Sequence, residues 1–353
     1  MLIFSPLKRS HMRKLARIVK IDAIQPIPNA DAIEIAKVGG WNVVVKKAEF
    51  SVGDVAVYFE IDTFLPEGNA AWQFLVDKSS RIYNGVNGHV LKSIRLRKQL
   101  SQGLLLGFEM FDGSSIAKIA RLDVGDDVSG LLGVTKYEPP IPANLAGVQR
   151  GNFPSIIPKT DQERVQNLTE EFNNWSGCGE LLTWEVTEKL EGSSCTFAWI
   201  NDDLHVCSRN IDLVDTVGNS FWSTAHALGI PAKMQTHFAG RNIALQGELI
   251  GFGIQGNIYK RNKQAFYLFD IYDADIGRYL NPSERNEIAN LLALTSVPVV
   301  DANFVLPNSM ETLLAMADGP SQLLATQKRE GLVFKCQDDS TSFKAISNAY
   351  LLA

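Results

Sequence analysis

Between Glu138 and Pro158 the chain carries Pro139, Pro140, Pro142, Pro154 and Pro158. Proline fixes φ and has no N–H, so neither a helix interior nor a central strand runs through such a stretch. The run Glu138-Pro139-Pro140-Ile141-Pro142-Ala143-Asn144 reads as an extended connector, and we place a boundary near residue 145. With 353 residues, each side has enough chain for its own core. The two sides differ in charge. Residues 1–150 hold 19 Lys and Arg against 15 Asp and Glu, a net of +4, and residues 151–353 carry a net of −9. A basic half suits a polyanion. An acidic half that also meets a polyanion would need metal ions to screen it.

The first side reads as all-β. Residues 18–27 alternate until Pro26 and Pro28, and residues 33–38 and 41–46 flank Gly39-Gly40 as in a hairpin. Residues 55–61, 89–96 and 103–108 supply further strands. Several short strands with glycine turns predict a small closed barrel such as an OB-fold over residues 1–145. Along 89–97, Ile94 and Leu96 point one way, and Arg95 and Arg97 the other. With Lys92 and Lys98 they form a basic stripe suited to nucleic-acid phosphates. An edge strand that uses charge against aggregation would carry the same residues. Residues 1–11, ahead of a second methionine at Met12, are given no role and are expected to be disordered.

Composition removes several classes. Hydrophobic residues make up 45% and charged residues 21%, as in a soluble globular protein. No apolar run approaches the ~18 residues of a membrane span, and the N-terminal apolar run is too short for a secretory signal. Cys178, Cys195, Cys207 and Cys336 form no CxxC pair, so zinc spacing and a disulfide framework are absent. A reducing, cytoplasmic setting is expected. Gly251-Phe252-Gly253-Ile254-Gln255-Gly256 spells GxGxxG, but the residues after it lead to another strand, so a dinucleotide fold is excluded.

Beyond residue 146 strands and helices mix, which predicts an α+β domain on antiparallel sheet over 146–353. Helical spacing marks residues 220–228, 282–294 and 309–317, with Asn281 as an N-cap before Pro282. Strands are expected at 181–186, 196–200, 204–208, 242–250, 266–272, 331–336 and 342–346. Lys189-Leu190-Glu191-Gly192 lies just after the first of these. A lysine there can be a nucleophile if a cation nearby and partial burial favour its neutral amine. Alone, the tetrapeptide reads more readily as a solvated turn.

Five further motifs along the chain change that reading. In order come Ser208-Arg209-Asn210, Gly247-Glu248-Leu249-Ile250-Gly251, Phe266-Tyr267-Leu268-Phe269-Asp270-Ile271, Glu330-Gly331-Leu332-Val333-Phe334-Lys335 and Ser342-Phe343-Lys344-Ala345-Ile346. This ordered set resembles the motifs of the covalent nucleotidyltransferases, the polynucleotide ligases and mRNA capping enzymes. It is most similar to ATP-dependent RNA ligases of the Deinococcus and Naegleria type, which also carry an N-terminal OB domain. The text around Gly40-Trp41, Gly53-Asp54 and Arg95-Leu96-Arg97-Lys98 is similar to that domain.

The resemblance implies roles. Lys189 would attack the α-phosphate of ATP and hold AMP. Glu191, Glu248 and Glu330 would hold Mg²⁺ or Mn²⁺ through its water shell. Lys344 would meet the same phosphate as a cation. Glu188, Arg209, Phe269 and Lys335 would contact the nucleotide, Phe269 by stacking on adenine. Many relatives show Lys-x-Lys in the last motif, where this chain has Ser342-Phe343-Lys344, and Lys-x-Asp-Gly where it has Glu191.

The implied activity is joining of RNA 3′-OH and 5′-phosphate ends, through lysyl-AMP and adenylylated RNA, in RNA repair. The expected partners are RNA ends or nicked duplex, including RNA–DNA hybrid, with a monomeric enzyme and no membrane. Two alternatives stay open. A capping-type guanylyltransferase would use GTP, but its OB domain usually comes after the catalytic one. A silent nucleic-acid-binding protein would not be expected to keep Lys189, Glu248, Glu330 and Lys344.

Overall fold

The computed structural model describes residues 13–140 and 147–353. Residues 1–12, the connector beyond Pro140 and the expected boundary at 145 lie outside the described residues. The described chain divides into two units, residues 13–140 and 147–351.

In the first unit Val55–Phe59 lies between Ala16–Lys20 and Leu104–Leu106, both antiparallel to it. Ala23–Pro26, Ile33–Val38 and Trp41–Lys46 form a second sheet. The hairpin at Gly39-Gly40 is present, with Val38 opposite Trp41 and Gly39 at φ 55°. Alternation buries Trp41, Val43 and Val45, and the Trp41 ring packs on Tyr58 at 6.0 Å.

Two expectations for this unit need correction. Residues 18–27 are not one strand. The chain turns at Ile21 and Asp22, whose N–H groups donate to the carbonyls of Asp54 and Lys37, and its two parts join different sheets. Residues 89–97 also divide. Val86–Val90 ends one strand, and Ser93–Leu96 pairs with Gln99–Gln102 in a separate hairpin. Arg97 and Lys98 form its tip, at φ 47° and 67°. A two-residue turn reverses the chain straight after Leu96, so Arg95 and Arg97 do not share a strand face.

The second unit holds two antiparallel sheets. One runs Gln149–Asn152, Ile211–Leu213, Asp203–Cys207, Ser193–Ile200, Ile243–Ile250, Ala265–Asp273, Arg278–Tyr279. The other runs Val299–Phe304, Trp184–Lys189, Gly331–Cys336, Ser342–Ile346. The helices Ser220–Ala227 and Ile230–Phe238 cover the larger sheet, burying Phe221, Trp222, Met234 and Phe238 against Phe197, Leu245 and Leu249. Asn219 caps the first of them, accepting from the N–H groups of Phe221 and Trp222. The helix Thr169–Gly177 covers the smaller sheet, where Trp175 stacks on Phe343 at 5.5 Å beside Trp184.

The expected strand at 181–186 lies three residues further on. A 3₁₀ turn takes Gly179–Leu181, Leu181 is 87% exposed, and the strand is Trp184–Lys189. The expected helix at 282–294 stops at Leu291, because Ala293 is left-handed at φ 46°. Asn281 and Glu284 form its capping box. Thr169–Gly177, Ile230–Phe238 and Val299–Phe304 were not expected from the pattern. Pro231 reads as a breaker, yet it sits in the first helical turn, where no N–H is missed. Among the described residues no helix is long and apolar enough to cross a membrane.

Candidate active site

Strand register assembles the site. Lys189 ends its strand opposite Gly331, so Glu330, one residue earlier, arrives at the lysine. Lys189 Nζ lies 2.6 Å from Glu330 Oε1. Across the smaller sheet Lys189 aligns with Gly331 and Ile346, Thr187 with Val333 and Lys344, and Glu185 with Lys335 and Ser342. Paired residues share a face, so Lys189, Lys344, Lys335 and Glu185 all project from one side. Two glycines permit this closeness. A Cβ on Gly331 would stand 2.3 Å from the Ala345 carbonyl, and one on Gly192 would stand 2.4 Å from the Leu249 carbonyl.

The larger sheet contributes Glu248, opposite Ser194. Burial pushes the Glu248 carboxyl up to about 8. Lys189 and Arg209 pull it down, while Glu330 and Glu191 push it further up. These five residues therefore meet in one electrostatic neighbourhood. Lys344 is also there. Its ammonium is lowered to about 8 by burial first, then by the charges of Lys189 and Arg164. Arg209 is exposed at the rim, and its guanidinium grips both Asp161 oxygens at 2.7 and 2.8 Å.

At the other end of the same face the two sheets are joined by buried charges. Lys335 Nζ donates to Asp270 Oδ1 at 2.7 Å and to the Phe269 carbonyl. Arg285 Nη2 donates to Glu185 at 2.8 Å. Gln162 links Ser342, at 2.5 Å, to Asp270, at 3.1 Å. The Lys335 ammonium is thus engaged by Asp270, one residue from Phe269. Burial lowers it to about 8. Phe269 is half-buried, with Lys335 Nζ 5.8 Å from its ring centre. Asp270 lies buried within the strand. Glu188 alternates away from Lys189, and its buried carboxylate accepts the Gln322 N–H at 2.7 Å.

The structure adds Arg164, which the sequence does not mark. It forms a parallel bridge with Lys344, and the Lys344 N–H donates to the Glu163 carbonyl at 2.8 Å. Its segment comes after the proline-dense stretch and has no periodic pattern, so only the tertiary pairing reveals it.

Glu191 and Glu330 both act electrostatically on Glu248, and three carboxylates in one neighbourhood are a donor set that suits a hard divalent cation. The raised Glu248 fits this reading, because a cation between the acids would offset their repulsion. Among the described residues no three acid, His or Cys side chains stand close enough to grip an ion directly. The set fits an ion held through its water shell.

In the first unit Lys92, Arg95, Arg97 and Lys98 are all exposed, on and beside the hairpin Ser93–Leu96/Gln99–Gln102. A turn with two left-handed residues usually takes Asn-Gly. Here two long cations occupy it, although left-handed backbone costs a side chain roughly 1 kcal/mol or more.

An OB-fold domain family matches residues 15–108, and an RNA ligase family matches residues 182–346. Solved structures of Naegleria gruberi RNA ligase are similar over nearly the whole chain. A mutant with AMP and Mn is 47% identical with a TM-score of 0.84, covering 96% of this chain and 98% of that one. A mutant with ATP and Mn gives a TM-score of 0.83, and a complex with PPi gives 0.82, both at 47% identity over the same shares. A comparison with curated protein sequences returned no match.

Proposed function

This chain belongs to the RNA ligase family and is an ATP-dependent RNA ligase, and from that premise we propose how its residues divide the work. Lys189 is the nucleophile. Its amine attacks the α-phosphate of ATP, a P–N bond forms, and the P–O bond to pyrophosphate breaks. The observation that carries this is the Glu330 carboxylate 2.6 Å from Lys189 Nζ, the nearest acceptor for the ammonium proton. Lys344 and Arg164 face the phosphate as a pair of cations, which answers the missing second lysine of the last motif. Arg209 meets the nucleotide or RNA at the rim and Phe269 offers its ring to adenine, while Glu188, expected to contact the nucleotide, instead faces away from Lys189 and holds the Gln322 backbone. Lys335, held by Asp270, fixes the Phe269 strand against the smaller sheet. Mg²⁺ or Mn²⁺, bound through water by Glu191, Glu248 and Glu330, would neutralise phosphate charge and favour the neutral amine.

AMP then passes to an RNA 5′-phosphate, and an RNA 3′-OH displaces it to form the phosphodiester. We assign residues 1–145 to nucleic-acid binding and 146–353 to catalysis. Nicked duplex, including hybrid, is the substrate form, and the enzyme acts as a monomer in RNA repair. Four unpaired cysteines, Cys178, Cys195, Cys207 and Cys336, favour a cytoplasmic setting. The test is sealing of a nicked duplex RNA with ATP or GTP as the nucleotide. Sealing with ATP supports the assignment; sealing with GTP alone contradicts it.

The hairpin tip gives a separate prediction. Replacing Arg97 and Lys98 together by Gln removes two phosphate-facing charges. Affinity for nicked RNA should fall ~10-fold, and the slope of log affinity against log salt should shrink by about 2. Lysyl-AMP formation should keep its rate. Fluorescence anisotropy across a salt series checks this, and an unchanged slope returns the hairpin to a solvated edge.

A further inference from the structure

The C-terminal turn reaches into the site. Tyr350 lies in the short helix Asn348–Leu351, and its hydroxyl donates to Glu191 Oε2 at 2.8 Å. The Glu191 backbone is fixed separately, its N–H donating to the Tyr259 hydroxyl oxygen at 2.8 Å. The second carboxylate oxygen, Oε1, faces the glycine loop, where a Cβ on Gly256 would lie 3.6 Å away.

Tyr350 is itself braced. Its N–H donates to Ser347 Oγ at 3.0 Å, and Ser347 Oγ donates to Asp318 Oδ1 at 2.7 Å. The Ala349 N–H donates to the same Asp318 oxygen at 2.9 Å. The Ser347 N–H donates to the Glu330 carbonyl at 2.9 Å. One turn of chain thus ties the backbone of Glu330 to the side chain of Glu191.

We propose that Tyr350 is a positioning residue for adenylyl transfer, holding the Glu191 carboxylate in the orientation the reaction uses. Glutamate has one more rotatable bond than aspartate, so its carboxylate has more freedom to lose. A phenol hydrogen bond removes that freedom and leaves the negative charge in place. An aspartate at 191 would be ~1.5 Å shorter and would not reach the hydroxyl. The Tyr350 contact therefore belongs to the glutamate. The inference rests on the reading of Glu191 as an acid of the adenylyl-transfer site.

The experiment is a double-mutant cycle on lysyl-AMP formation, with Tyr350→Phe, Glu191→Asp and both together, and Glu191→Ala as control. Tyr350→Phe should slow the step ~10-fold at saturating ATP, with half-saturating ATP and the thermal midpoint little changed. In the Glu191→Asp protein the same change should slow it no further. Equal slowing in both backgrounds overturns the inference, as does a full rate in Tyr350→Phe or a loss confined to ATP half-saturation. A full rate in Glu191→Ala would remove the reading of Glu191 itself, and the inference with it.

Discussion

Lys189→Ala protein is expected to take up no label from radiolabelled ATP and a divalent cation, a loss of at least ~10³-fold, or about 4 kcal/mol of barrier. Lys189 is the lysine placed against the Glu330 carboxylate, with Glu248 and Lys344 acting in the same neighbourhood. Alanine removes the only atom of that side chain able to form the P–N bond. The later steps need no lysine nucleophile, so the variant should still seal RNA that carries a 5′-adenylate beforehand. Label on denatured Lys189→Ala protein at the wild-type level would sink the assignment.

Glu248→Gln should lose activity and gain stability. The carboxyl ordinarily titrates at 4.5, and burial in the folded protein raises it to about 8. Between those values the folded state binds the proton that the unfolded state releases. Stability from this group is therefore complete below pH 4.5 and is lost as pH rises through about 8. Glutamine keeps the shape and cannot ionise. At pH 8 it should stabilise the ligand-free protein by roughly 1–3 kcal/mol, a rise in thermal midpoint of about 5 °C. The same change removes the charge that faces the cation and the phosphates. Lysyl-AMP formation should fall ~100-fold, about 2.7 kcal/mol. Melting curves at pH 5 and pH 8, beside rates across a Mn²⁺ titration, check both halves. A midpoint that falls with the rate would mark Glu248 as an ordinary structural acid.

The second unit was more legible than the first, and strand geometry says why. Lys189, Glu248 and Glu330 lie at or near strand ends beside glycines, and the close approaches at Gly192 and Gly331 require those glycines. A short ordered motif therefore records both the chemistry and the packing around it. Arg164 leaves no such trace, since it joins the site only through its bridge to Lys344. Lys335 shows the limit of a charge taken from a motif: its ammonium crosses to the larger sheet and is held by Asp270 and the Phe269 carbonyl. In the first unit, period-two alternation could not reveal that the chain reverses after Leu96, because Arg97-Lys98 is not a usual turn dipeptide. Tyr350 sits far along the chain from Glu191, and nothing in its local sequence announces the hydrogen bond between them.

On the proposed mechanism one lysine, Lys189, carries the nucleotide. The most direct measurement is peptide mapping by mass spectrometry after incubation with ATP and Mn²⁺, without RNA. One AMP should be found, on the peptide containing Lys189, and it should disappear when 5′-phosphorylated nicked RNA is added. AMP on another residue, or no adduct with ATP while GTP gives a guanylylated protein, would overturn the assignment of Lys189 as the ATP-derived adenylyl carrier.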